Sequence, residues 1–272
     1  MSAPLGLIAG RGKFPLFFAQ EAKKNNQNLV VVALKEEVDE DLAPYAKSLH
    51  TLSVAKLDSI IQTLKKEGVQ EAVMAGKVEH RKIFSGLIPD LRCAQLLFRI
   101  KDRRADTILQ AVSEELQKDG IRLMSSLTFL THLLPHAGLL SKRALTESER
   151  KSVEFGIGIA HGVSGLDIGQ TVVIKRRMVI AVEAMEGTDA CIRRAAALAG
   201  EDLVIVKSAK PKQDLRFDVP VIGMATVELL SDIKASVLAI EANKTLMLEK
   251  EKLIQRADDL GISLYAWERL HD

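Results

Sequence analysis

The sequence predicts an α/β protein of two domains: an N-terminal Rossmann-like parallel sheet with helices, then a mixed α/β domain. Three observations lead there. Short apolar runs alternate with helix-period segments over residues 1–134, as strands joined by crossover helices do. Periodicity is lost between Pro135 and Arg150. Beyond it, two adjacent strand runs read as a hairpin, which brings antiparallel pairing into the second half. The length, 272 residues, suits about two domains or one large one at roughly 150 residues per domain.

Leu5–Ala9 is the first apolar run, ending in Gly10-Arg11-Gly12. Phe14–Lys24 reads as a helix, with Pro15 tolerated in its first turn. Asn28–Leu34 is β-branched, and Leu49–Val54 is a weaker strand. Leu57, Ile60, Ile61 and Leu64 recur at helical spacing until Gly68. Glu71–Ala75 is a strand ending at Gly76-Lys77. Helices are expected near 90–100 and 104–118, with Ile121–Met124 as a last strand. Residues 135–150 read as the linker between the domains.

The C-terminal domain spans 151–272. A helix from Glu149 to Val163 carries Gly156, Gly158 and Gly162, glycines suited to close packing. Thr171–Lys175 and Met178–Glu183 form the hairpin across Arg176-Arg177. A helix follows over Thr188–Ala199, and strands over Leu203–Val206, Val219–Ile222, Val237–Ile240 and Ile262–Tyr265.

Composition narrows the function. Aromatics are 4%, and 38 basic against 36 acidic residues leave a net charge of +2, so no nucleic-acid partner is expected. Two widely spaced cysteines, no signal peptide and no run near 18 apolar residues predict a soluble, cytoplasmic protein. Within 80–100, Arg81, Lys82, Arg92 and Arg99 alternate with apolar residues. That stretch reads either as a patch facing lipid or membrane, or as a core helix with a solvated basic edge. The P-loop, the G-x-S-x-G elbow and the H-E-x-x-H motif are absent. His132 and His136 share a helical spacing that Pro135 disrupts.

Three groups of residues point to a phosphate-bearing ligand. Gly10, Gly12, Gly76 and Lys77 sit after strands, where ligands gather in parallel sheets, and Gly10-Arg11-Gly12 reads equally as a tight βα turn. Thr188 and Asp189 open a helix after a strand, either as cap and dipole partner or as a seat for a phosphoryl oxygen. Lys207, Lys210 and Lys212 crowd a loop that runs through Gln213 into Asp214-Leu-Arg216-Phe-Asp218. In an extended chain Asp214, Arg216 and Asp218 share one face, either a ligand-binding face or the solvated face of a half-exposed edge strand, with the carboxylates about 13 Å apart. One metal ion would then reach a single Asp, leaving the other to orient Arg216 or a lysine.

The stretch from Gly6 to Pro15, the Gly76-Lys77-Val78 turn, Glu186-Gly187-Thr188-Asp189, and Lys210–Pro220 followed by Ile222-Gly223 occur in one order. Together they resemble the two-domain UDP-2,3-diacylglucosamine pyrophosphatases of lipid A biosynthesis, a form distinct from the calcineurin-like metallophosphoesterases. Glu241-Ala242-Asn243 departs from the Glu-Ala-Gly expected of that family. The resemblance implies hydrolysis of UDP-2,3-diacylglucosamine to 2,3-diacylglucosamine 1-phosphate (lipid X) and UMP, with a divalent metal, Mg²⁺ or Mn²⁺. It points to Asp218 as the metal-linked carboxylate, with Asp214, Lys210 and Arg216 as further catalytic residues. Gly10, Gly12, Gly76, Lys77, Thr188, Asp189, Lys207, Lys212 and Gln213 are then substrate-binding. The inner-membrane surface is a peripheral partner, a homodimer stays open, and the alternative is a non-catalytic nucleotide-sugar or lipid binder.

Overall fold

The computed structural model describes residues 3–78, 87–102, 104–211 and 213–268. The chain forms two compact units. Unit 1 holds Met1–Thr131 together with Asp214–Asp218; unit 2 holds His132–Gln213 and Val219–Asp272.

Unit 1 is built on five parallel strands: β1 (Leu5–Ala9), β2 (Leu29–Leu34), β3 (Ser48–Leu52), β4 (Glu71–Ala75) and β5 (Arg122–Leu123), in the order β3-β2-β1-β4-β5. β1 and β2 are buried along their whole length, which is why they read as continuous apolar runs. Helices α1 (Phe14–Lys24) and α2 (Leu57–Lys66) occupy the positions that periodicity assigned. α2 buries Leu57, Ile60, Ile61 and Leu64, each contributing about 2 kcal/mol of apolar burial. Helices α3 (Leu91–Arg99) and α4 (Ala105–Lys118) follow, and Asp90 caps α3 by accepting from the Cys93 N–H at 2.8 Å.

The stretch 80–100 divides. Residues 79–86, with Arg81 and Lys82, lie outside the described residues. α3 turns Cys93 and Leu96 inward and leaves Leu91 and Phe98 exposed. Its basic groups are engaged: Arg92 meets Glu115 and Asp119 at 2.8 and 2.5 Å, and Arg99 meets Glu115 at 2.7 Å. Arg92 and Arg99 therefore brace α3 against α4.

Unit 2 carries a six-stranded mixed sheet of β6 (Gly138–Leu139), β7 (Thr171–Lys175), β8 (Met178–Val182), β9 (Val204–Lys207), β11 (Val237–Glu241) and β13 (Ser263–Trp267), in the order β6-β13-β11-β9-β7-β8. The central β9, β11 and β13 are parallel, and β6, β7 and β8 pair antiparallel. The hairpin forms as expected, with Arg176 and Arg177 both at positive φ (50° and 61°) in place of Asn-Gly. β10 (Val221–Ile222) and β12 (Leu246–Met247) make a separate parallel pair.

Helices α5 (Glu147–Gly165) and α6 (Thr188–Ala199) pack on the main sheet. Of the three glycines that the sequence marks for close packing in α5, only Gly156 is needed for it: a Cβ there would stand 2.7 Å from Val206, whereas Gly158 and Gly162 face open space. Helices α7 (Met224–Asp232) and α8 (Lys250–Asp259) were not anticipated.

Residues 135–150 are part of unit 2 rather than a free linker. β6 pairs with β13, the Ser141 hydroxyl accepts from the Leu264 N–H at 2.8 Å, and Arg143 meets Glu149 at 2.7 Å. Thr146 and Glu149 form a reciprocal capping box that starts α5, the reason for the charged run read as linker. Among the described residues no helix is long and apolar enough to cross a membrane.

Candidate functional site

In unit 1 the strand order reverses between β1 and β4, the position where open α/β sheets bind ligands. Gly10-Arg11-Gly12 leaves β1 there and Gly76-Lys77 leaves β4. The two turns are tied by paired bonds between Arg11 and Lys77, at 2.8 and 3.0 Å. A Cβ on Gly10 would lie 2.5 Å from the Lys77 carbonyl oxygen, and one on Gly76, at φ +93°, 2.8 Å from that of Arg11. These glycines let the turns approach each other. Gly12 differs: it has φ +89° and open space, and its N–H donates to Asp39 Oδ1 at 3.1 Å. Arg11 lies 3.5 Å from the buried carboxylate of Glu37, and Lys77 is exposed.

Asp214–Asp218 is a turn, not the extended strand expected from its alternation. The Asp214 carbonyl accepts from the N–H groups of Phe217 and Asp218 at 3.3 and 3.0 Å, which folds back the span that extension would hold open. Arg216 grips Asp214 through Nε to Oδ1 (2.9 Å) and Nη2 to Oδ2 (2.6 Å). The same guanidinium donates to Ser113 Oγ at 3.0 Å and Gln110 Oε1 at 2.9 Å, both on α4. The hydrogen bond from Arg216 holds the Asp214 pKa below its ordinary value. Phe217 packs against the unit 1 core.

In unit 2 the residues of interest gather at the carboxyl ends of β8, β9 and β11. Lys207 ends β9, is 8% exposed and donates to Thr188 Oγ1 at 3.2 Å. Thr188 in turn donates to Glu183 Oε1 at 2.8 Å, and Glu183 Oε2 accepts from the Gln170 N–H at 3.3 Å. Gly187, at φ +83°, is the N-cap of α6 in place of Thr188, and no side chain caps the first turn, where Asp189 sits. Lys210 pairs with Asp167 at 2.8 Å and its N–H donates to Gln213 Oε1. Lys212 lies outside the described residues.

Glu241, buried at the end of β11, accepts from the Ala209 N–H at 2.8 Å and from Ser208 Oγ at 3.1 Å. It thereby fixes the loop between the two lysines. The sequence marks Glu183 only as a strand end and Glu241 only as part of Glu241-Ala242-Asn243, and it carries no signal for Asp167. Buried polar atoms without a hydrogen-bond partner also collect along this edge: Gln170 Oε1, Thr171 Oγ1, Thr245 Oγ1 and Trp267 Nε1. Unmatched donors and acceptors are costly in a core and common where a ligand or water completes them. Cations, an uncapped helix start and such atoms together suit a phosphorylated ligand. Among the described residues there is no group of three His, Cys, Asp or Glu placed to hold a metal ion.

Known proteins resemble the chain over both units. The family model described as the LpxI N-terminal domain matches residues 4–133, and that of the LpxI C-terminal domain matches 136–265. The UDP-2,3-diacylglucosamine pyrophosphatase LpxI of Caulobacter vibrioides is 31% identical over 269 residues, 95% of each chain. A crystal structure of N5-carboxyaminoimidazole ribonucleotide synthetase from Thermotoga maritima is 15% identical over 68% of this chain and 42% of that one. Its TM-score of 0.24 is too low to inform the fold. With both family models matched and a relative above 30% identity across nearly its whole length, the chain belongs to the LpxI family.

Proposed function

We propose that this chain hydrolyses the diphosphate of UDP-2,3-diacylglucosamine to 2,3-diacylglucosamine 1-phosphate and UMP, in lipid A biosynthesis. Family membership supports the hydrolase class, and one observation carries the reading onto these residues. Lys207, Lys210 and the uncapped start of α6 converge on one sheet edge, the chemistry a diphosphate requires. Water adds to one phosphorus as the bridging P–O bond breaks, and two phosphomonoester anions leave. Lys207 and Lys210 offset the charge that develops, with Asp167 and Thr188 holding their ammonium groups until substrate arrives. The first-turn amides at Thr188 and Asp189, together with Gln213 and Lys212, orient phosphate oxygens. Gly10, Gly12, Gly76 and Lys77 belong to the same reading as substrate-binding residues.

Asp218 is the proposed catalytic carboxylate. A divalent metal, Mg²⁺ or Mn²⁺, fits the donor set in one way. Arg216 engages both Asp214 oxygens, and the family resemblance links Asp218 to the metal, so Asp218 would hold the ion, with substrate phosphates and water as other ligands. Mg²⁺ is commonly held through one or two carboxylates plus phosphate oxygens. When bound, it would neutralise diphosphate charge. The lipid substrate sets the place of work at the cytoplasmic face of the inner membrane.

A non-catalytic nucleotide-sugar or lipid binder would retain the ligand unchanged. UMP release by the purified chain, with and without EDTA, separates the readings. EDTA-sensitive release supports metal-dependent hydrolysis, EDTA-resistant release removes the metal, and no release under either condition favours the binder.

A further inference from the structure

We infer that Ser126 is a positioning residue for the Asp218 turn, an inference that rests on the hydrolase reading above. Ser126 follows β5 and is almost wholly buried. Its N–H donates to the Leu215 carbonyl at 2.7 Å, and its hydroxyl lies 2.7 Å from the Arg216 carbonyl oxygen. The same hydroxyl is 2.6 Å from the Met74 carbonyl oxygen in β4, so its one proton serves two acceptors, one in the sheet and one in the turn. Ser125 Oγ reaches the Leu215 carbonyl as well, at 3.3 Å.

Two consecutive carbonyls of a five-residue turn are therefore held by one serine. On its other side the turn is pinned by Arg216 to Ser113 and Gln110 of α4, and beneath by Phe217 in the core. Asp218 is the next residue, and its own N–H closes the turn onto Asp214. Through the backbone these neighbours set the position of Asp218. Arg216 belongs to this clasp as well: four of its five N–H donors are used within unit 1, which makes it a positioning residue more than a phosphate ligand. A misplacement of about 1 Å at a reacting group can cost about 10²-fold in rate.

The test is Ser126→Ala in the full chain, with kcat and KM for UMP release beside hydrogen exchange of the peptide containing 214–218. The clasp requires kcat to fall about 10-fold or more with KM within about twofold. Exchange in that peptide should rise while peptides of β1 and β2 keep their protection. Gln110→Ala, at an exposed position, should change kcat and exchange in the same sense by less, and it serves if Ser126→Ala does not fold. Wild-type kcat in both variants, or a fall in kcat with unchanged exchange at 214–218, would overturn the proposal. Asp218→Asn separates the two claims. If it is inactive while Ser126→Ala is fully active, the clasp alone fails; if it is fully active, the catalytic reading of Asp218 fails and the clasp with it.

Discussion

Arg216 and Asp214, two residues apart, form a two-point ion pair, with Nε 2.9 Å from Oδ1 and Nη2 2.6 Å from Oδ2. The pair bends the chain that alternation had marked as a strand and docks five residues from the second half of the sequence into unit 1. It also uses both Asp214 oxygens, so that carboxylate serves the shape of the turn.

The three glycines of the unit 1 turns should separate in behaviour. Gly10→Ala and Gly76→Ala force a Cβ to within 2.5 and 2.8 Å of backbone oxygen, so both should destabilise unit 1 by more than about 2 kcal/mol. Gly12→Ala meets no atom and costs only the left-handed conformation, about 1 kcal/mol. Denaturant midpoints measure the order. A Gly12 variant as unstable as the Gly10 variant would contradict this geometry.

Acid should weaken unit 1 through Glu115. Burial alone would raise its pKa, but hydrogen bonds from Lys118, Arg99 and Arg92 outweigh burial and hold it at about 2. A depressed carboxylate stabilises the fold above its unfolded pKa, near 4.5, and loses that contribution as pH falls toward 2. The stability difference between wild type and Glu115→Gln should therefore be constant above about pH 5.5 and shrink between 4.5 and 2. A difference that instead shrank between pH 8 and 6 would contradict the assignment.

Much of the fold was legible because local signals agreed. Phe14–Lys24, Glu71–Ala75, Thr171–Lys175 and Thr188–Ala199 lie where periodicity put them. α7 and α8 lack a legible apolar period: α7 buries Val227, Leu229 and Leu230, and α8 only Leu253 and Ala257. The linker was misread for a different reason: Thr146-x-x-Glu149 is a start signal, hidden in a charged run. At the site, the lysines and glycines were visible as types and spacings. The Asp167 and Glu241 contacts were not, because they join residues more than 30 apart.

Cys191 should be inert in the native protein. It is fully buried on α6, and burial pushes its thiol pKa to about 11. A thiol-reactive chromophore at pH 8 should leave Cys191 unlabelled until denaturant is added. Rapid native labelling, with Cys93→Ser as background, would contradict that burial.

Lys207→Met and Lys210→Ala should each lower kcat/KM by about 10- to 100-fold with little change in thermal midpoint. Thr188→Ala should do so less, since it removes the partner that holds Lys207 rather than the cation itself. Steady-state kinetics with circular dichroism as a folding control read both. Wild-type kcat/KM in the two lysine variants would remove this sheet edge from the reaction.

The central claim is that this chain cleaves the diphosphate with Asp218 as its catalytic carboxylate. UMP release from UDP-2,3-diacylglucosamine, measured side by side for wild type and Asp218→Ala with Mg²⁺ present, tests it most directly. Wild type should turn over, and Asp218→Ala should be folded and at least about 10³-fold slower. Retention of more than about a tenth of wild-type kcat by the variant, or no release by wild type, would contradict the claim.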